Sequence, residues 1–190
     1  MNAATALMIE KGADVTMTEI AKRADLVIGS LYQYFSDKSE IHRAILLQHQ
    51  TEVRQMLYDH ASQVQTVDQF EQAMEQAFEK YFVLHQQDPL FNAIWSIVQT
   101  DAELQRLDIE DSLQNGRYLQ SIYSRFLPHV SPERLVAGCA LITQLALATA
   151  RFARGIPPNL ARHTKPTFRA MIRDAFKDLK NEDAAARRRL

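Results

Sequence analysis

The stretch Thr16–Arg43, TMTEIAKRADLVIGSLYQYFSDKSEIHR, decides how this chain is read. Thr16 and Glu19 stand three apart, just ahead of Ile20 and Ala21. At that spacing the hydroxyl accepts from one orphan amide of a new helix and the carboxylate reaches back to another. Ile20, Ala21 and Ala24 then recur at helical intervals and give the helix one apolar face. Ala24-Asp25-Leu26-Val27 reads as a turn, with Asp25 where the backbone needs an unusual angle that Asp tolerates better than most residues. A second short helix follows, with Leu31, Tyr34 and Phe35 directed inward and Gly29, Ser30, Tyr32 and Gln33 on the other side. A short helix with small and polar groups at its N-terminal end can enter a DNA major groove and reach base edges.

This stretch resembles the helix-turn-helix of the TetR family of bacterial transcriptional regulators. The matching residues are Thr16, Ile20-Ala21, Ala24, Gly29-Ser30-Leu31-Tyr32, Tyr34-Phe35 and Lys38, in order and without gaps, and the run GSLYQYF followed by Lys38 makes the match specific. The resemblance implies DNA contacts from Ile28, Gly29, Ser30, Tyr32, Gln33 and Tyr34. Gln33 and Ser30 suit hydrogen bonds to base edges, and Ile28 suits a thymine methyl. Tyr32, Tyr34, Thr16, Thr18 and Lys38 suit phosphates, which fix register. The free amides of Thr16–Thr18 add an anion-binding helix start. Core packing is the competing reading for Tyr34. Two residues depart from the family pattern. Asp25 stands where the family favours glycine. Val27 falls near the N-cap of the second helix, where losing a Ser or Thr cap typically costs about 1 kcal/mol.

Working outward, Asn2–Lys11 reads as a first helix, with Ala3, Ala6, Leu7 and Ile9 as its apolar side and Gly12 as its stop. The family carries basic residues ahead of this helix. Here Met1 falls inside it, so the expectation is a truncated chain or a lost flexible arm. Asp37 and Glu40 repeat the capping spacing and open a long helix over 37–64, with Lys38 in its first turn. A fifth helix runs from Thr66 or Asp68 to Gln87, and Asp88-Pro89 breaks it. Residues 90–99 and 101–127 give two more, the latter with a break expected near Leu107–Asp111. Ser131 caps an eighth helix with Pro132 at its first position. Its body, 135–153, is apolar nearly all round and must be covered on several sides. A ninth helix is expected over 166–180.

The fold class is therefore all-α, with about nine helices: a three-helix DNA-binding domain over 1–45, a helical ligand-binding and dimerisation domain over 46–183, and a charged, frayed tail over 184–190. Only 5 Gly and 6 Pro occur in 190 residues, in keeping with long helices. No uninterrupted run of 18 apolar residues marks a membrane span. No signal peptide is visible, and the single Cys139 fits a reducing cytoplasm. Net charge is −1, and the first 43 residues hold five basic against six acidic side chains. Phosphate binding must then come from local clusters such as Lys22, Arg23, Lys38 and Arg43.

An aromatic pocket is expected from Phe78, Phe82, Phe91, Trp95, Tyr118 and Ile122 with Gln144, in the pattern of small-molecule sites. An ordinary aromatic core with local hydrogen bonds is the plainer alternative. Thr143 and Thr149 are further polar members of the eighth helix. Asp101, Asp108, Glu110 and Asp111 read as a solvated face. Leu135, Ile142, Leu145, Phe168, Ile172 and Phe176 are expected at a four-helix interface between two copies. A twofold dimer sets two recognition helices about 34–36 Å apart and reads a palindrome. Enzymatic readings find no support: Cys139 lies among Ala and Leu, and the six histidines lack metal spacing. No cofactor is expected. The sequence thus points to a cytoplasmic homodimeric repressor of a palindromic operator, released by a small molecule. The alternative is a helical ligand-binding or scaffold protein with a weakened DNA head.

Overall fold

The computed structural model describes residues 1–189; Leu190, the end of the expected tail, lies outside the described residues. Among the described residues the chain forms nine α-helices and no strand: α1 Asn2–Lys11, α2 Met17–Arg23, α3 Ile28–Tyr32, α4 Lys38–Ala61, α5 Val67–Gln87, α6 Pro89–Val98, α7 Ala102–Tyr123, α8 Pro132–Gly155 and α9 Pro158–Arg187. A 3-10 turn covers Gly12–Asp14.

Local chemistry sets most of these boundaries. Glu19 N donates to Thr16 Oγ1 at 3.3 Å, and Thr16 N donates to Glu19 Oε2 at 2.9 Å, so both halves of the capping box are present. Leu90 N donates to Asp88 Oδ1 at 2.9 Å, and Arg134 N donates to Ser131 Oγ at 3.2 Å; each helix has proline at its start. At α4 the expected box is displaced. Asp37 accepts from Glu40 N at 3.1 Å, but the Glu40 carboxylate accepts from Ser36 N at 2.6 Å.

Two expected boundaries are corrected. α7 runs unbroken through 107–111, a segment with no glycine or proline to interrupt it. α9 begins eight residues before the expected start and keeps Pro166 inside. Pro157-Pro158 supply a fixed φ suited to a first turn. Pro166 and Arg162 both face solvent, so water can reach the carbonyl that loses its amide partner. The tail is also less frayed than expected. Asp183 is buried, accepts from His129 N at 2.8 Å and pairs with Arg187 at 3.3 Å, and helix continues to Arg187.

The chain divides into two compact units, residues 1–52 with 87–108 and residues 53–86 with 109–190. The first unit extends beyond the 1–45 segment. α6 packs on α1 and on the 3-10 turn. Leu7, Met8, Ile20, Leu31, Ile41, Ile45, Ile94 and Val98 share one apolar core. Burying each such side chain stabilises by roughly 1.5–3 kcal/mol.

The second unit is centred on Phe70 and Tyr123, stacked at 4.3 Å between centroids, with Phe176 edge-on to both. A ladder of ion pairs ties α5 to α9. Glu75 meets Arg169 at 2.9 Å and Arg173 at 2.5 Å, Glu79 meets Lys165 at 2.7 Å, and Glu71 meets Lys180 at 2.9 Å. α7 crosses α8 at Gly116, where a Cβ would lie 2.8 Å from both Ala140 Cβ and Val136 O. By length and composition alone α8 could cross a membrane, although 28% of its most apolar window is buried inside the unit.

Candidate nucleic-acid interface

The first unit holds α2 and α3 at a fixed angle through one residue. Asp25 has φ 54°, the only non-glycine in the left-handed region among the described residues. Leu26 N donates to Ala21 O at 2.9 Å and closes α2 behind it. Val27 then takes extended backbone, φ −69° and ψ 135°, and offers no side-chain cap, as its identity dictates. Ser30 N donates to Val27 O at 2.9 Å and starts α3. Leu31 is buried and anchors α3 to the core. Ile28, Gly29, Tyr32 and Gln33 consequently face solvent, and Ser30 is half-buried.

Tyr34 corrects part of the sequence expectation. It is 78% exposed, so it does not pack inward with Leu31 and Phe35. Tyr32 is also exposed, leaving two phenolic hydroxyls on the outer side of this segment. Thr18 is exposed. Thr16 is already engaged: its amide and its hydroxyl both donate to Glu19 Oε2 at 2.9 Å. Lys38 Nζ donates to Ala13 O at 2.7 Å, which ties the start of α4 to the 3-10 turn.

Much of the basic charge is used internally. Arg23 pairs with Glu10 at 2.7 Å, Lys11 with Glu19, and Arg43 with Glu103 at 3.5 Å. Lys11, then the Thr16 amide and hydroxyl, hold the Glu19 carboxyl down at about 2. The Arg23 guanidinium likewise lowers Glu10. The Lys22 side chain forms no ion pair or hydrogen bond among the described residues, and its carbonyl accepts from Asp25 N at 3.3 Å. In the sequence Val27 stands out only as a missing cap; in the structure it is 76% exposed on the same outer tip as Ile28. The signal available was an apolar residue at a position that favours Ser or Thr.

The second unit carries most of the other expected residues. Phe78 and Phe82 lie edge-on at 5.8 Å, Ile122 is buried beside them in the core, and Tyr118 stacks on Tyr58 at 3.5 Å. Gln144 accepts from Ser112 Oγ at 2.5 Å. Phe91 and Trp95, 6.0 Å apart, belong to the first unit. Thr143 and Thr149 donate to Ala140 O and Leu145 O, at 2.8 and 2.7 Å, and so have local partners. Asp111 is not part of a solvated face. It pairs with Arg54 in a half-buried contact and accepts from Asn115 Nδ2 at 3.0 Å. Around this carboxylate Arg54 Nε and Asn115 Oδ1 are buried and have no hydrogen-bond partner among the described residues. Sequence reasoning missed this cluster, although Arg54 lies in a stripe with Val53 and Leu57.

Of the six residues expected between copies, Leu135, Phe168, Ile172 and Phe176 are instead buried in the core of their own unit. Ile142 is partly buried and Leu145 is exposed. The apolar residues these helices leave at the surface are Leu141, Leu145 and Phe152 on α8 and Leu160 and Met171 on α9.

A family model described as "Bacterial regulatory proteins, tetR family" matches residues 1–45, and one described as "Tetracyclin repressor-like, C-terminal domain" matches residues 68–178. No curated protein sequence matches significantly. Solved structures share the fold. A TetR-family transcriptional regulator from Streptomyces coelicolor aligns at 18% identity over 93% of this chain and 92% of its own, with a TM-score of 0.68. SmeT, the repressor of the Stenotrophomonas maltophilia multidrug efflux pump SmeDEF, aligns at 21% identity over 92% and 86%, with a TM-score of 0.67. AlkX, a TetR family repressor from Dietzia sp. implicated in n-alkane biodegradation, aligns at 17% identity over 92% and 94%, with a TM-score of 0.58.

Proposed function

The chain belongs to the tetR family of bacterial regulatory proteins, and on that premise we propose that it is a cytoplasmic, homodimeric repressor of a palindromic operator, released by a small molecule. The observation that carries this reading is the outer side of α3. Ile28, Tyr32, Gln33 and Tyr34 stand in solvent while Leu31 holds the helix to the core. Gln33 and Ser30 supply the hydrogen-bonding groups that discriminate bases. Tyr32, Tyr34, Thr18 and Lys38 supply phosphate contacts that set register.

Pairing falls to α8 and α9. Leu141, Leu145 and Phe152 recur at four and seven residues and line one side of α8, the spacing of a helix-to-helix seam. Release falls to the second unit. Phe78, Phe82, Tyr118, Ile122 and Gln144 supply apolar surface with a few polar groups, and the unpartnered Arg54 Nε and Asn115 Oδ1 supply a donor and an acceptor for a ligand. α4 and α7 each run from one unit into the other. A ligand preferring one arrangement of these helices weakens DNA binding by its differential affinity, typically about 1–3 kcal/mol.

The test is a mobility shift with duplexes selected from a random library by the full-length protein. Gln33→Ala should change the preferred sequence. Replacing Lys38 should weaken all duplexes alike and flatten the salt dependence. Failure to enrich any duplex would leave the alternative, a ligand-binding protein with a weakened head. The uncapped α3 and the internally paired cations favour that alternative.

A further inference from the structure

We propose that the tip of α3 reads thymine methyl groups through an apolar cap formed by Val27 and Ile28, and that this contact carries much of the operator's selectivity. The inference rests on the DNA-binding reading above and assigns its reading chemistry.

Leu26, Val27 and Ile28 are consecutive, and their exposures are 46%, 76% and 36%. Three neighbouring aliphatic side chains in water at the tip of a groove-reading helix need a reason, because a Ser or Thr at Val27 would also cap α3. The gain must come when the tip is covered. N-terminal residues of a recognition helix are the ones that meet base edges. Val and Ile offer no donor or acceptor. The major-groove feature an aliphatic group can distinguish is the thymine C5 methyl.

Given DNA binding, the charge pattern raises the weight of this contact. Lys11, Arg23 and Arg43 are held in ion pairs, which leaves Lys22 and Lys38 as the head's cations outside an ion pair among the described residues. Each phosphate contact steepens the salt dependence by close to one unit of logarithmic slope, and this head has few uncommitted cations to supply such contacts. Apolar contact then bears a larger share of binding. Val27 thereby gains a role beyond an absent cap. It stands beside Ile28 as a specificity-determining residue, with Gln33 reading the next positions.

The experiment compares two forms of one duplex. The full-length protein selects its duplex from a random library, and that duplex is resynthesised with deoxyuridine for thymidine. Only the methyl groups are lost; base pairing and every major-groove donor and acceptor remain. Losing one contacted methyl should weaken binding roughly fourfold, and one in each of two half-sites roughly fifteenfold. Val27→Ser, which restores a capping hydroxyl, and Ile28→Ser should each bind the two duplexes more nearly alike. Circular dichroism confirms that both variants remain folded.

Equal wild-type affinity for the two duplexes overturns the inference and leaves the DNA-binding reading standing. No enrichment of any duplex overturns the DNA-binding reading itself. A uridine penalty that Val27→Ser leaves intact and Ile28→Ser abolishes removes Val27 from the assignment. Self-association of the free protein that Val27→Ser dissolves, with no uridine penalty, assigns the cap to a protein contact and also overturns the inference.

Discussion

Replacing Gly116 with alanine tests how α7 meets α8, because two opposing effects predict opposite signs. Alanine is the better helix former by about 1 kcal/mol, so an open site would be stabilised. At Gly116 the added Cβ would lie 2.8 Å from Ala140 Cβ and Val136 O and 3.0 Å from Ala140 N. Ordinary contact begins at 3.4 Å, so two of the approaches fall roughly 0.6 Å short. Two of the three atoms are backbone, and no side-chain rotation relieves them. The helices must separate, loosening the buried Leu119 and Cys139 beside the crossing. Overpacking of this kind costs about 1–3 kcal/mol, and strain against backbone belongs in the upper half of that range. After the propensity gain a net loss of about 1–2 kcal/mol remains, which lowers the melting temperature by roughly 2–8 °C. Thermal unfolding followed by circular dichroism measures the change, and hydrogen exchange along 109–123 and 132–147 localises it. Ala140→Gly, which itself gives up about 1 kcal/mol of helix propensity, should cost less in the Gly116→Ala background than in the wild type, because there it also removes one of the three obstructing atoms. A Gly116→Ala protein as stable as the wild type would refute the close crossing.

Acid should weaken the α5–α9 ladder through Glu75. Arg173, then Arg169, hold its carboxyl below the ordinary 4.5 of the unfolded chain. Its stabilisation is therefore complete above that value and is lost as pH falls through the folded pKa. Glu75→Gln should cost on the order of 1 kcal/mol at pH 7 and almost nothing at low pH, read from urea midpoints across pH. Asp111→Ala should destabilise the second unit by about 2 kcal/mol, less than a fully buried pair because Arg54 keeps some contact with water; an apolar replacement of both partners should restore much of it. Leu145→Glu with Phe152→Glu should turn a dimer into a monomer by light scattering and weaken operator binding with it. Equal mass for both proteins would place the interface elsewhere.

What the sequence reveals, and what it hides, follows the reach of each interaction. The Thr16–Glu19 box, the left-handed Asp25 and the Ser131-Pro132 start are decided within four residues, and each is present. The start of α9 is not decided so locally. Pro158 and Pro166 both suit a first turn, and only the tertiary setting, with Pro166 turned to water, chooses the earlier one. At the candidate site, periodicity distinguishes buried from exposed but not whose core is being filled. Leu135, Phe168, Ile172 and Phe176 are apolar in the pattern of an interface and lie inside their own unit. The Arg54–Asp111–Asn115 cluster joins helices more than fifty residues apart, so no local pattern announces it.

The first unit is not a continuous stretch of chain, and that has a bearing on its manufacture. Phe91, Ile94, Ile97 and Val98 of α6 are buried within it, and α6 packs on α1. On a ribosome, which delivers the chain from the N-terminus, α1 to α3 emerge long before this partner does. For more than forty residues of elongation the reading head is a half-built object with its apolar floor open to water. A fragment ending at residue 45 would stay in that condition, sticky and poorly folded, while one carrying residues 1–108 has every helix the head needs. The part of this molecule that would meet DNA is made ahead of the helix that completes it.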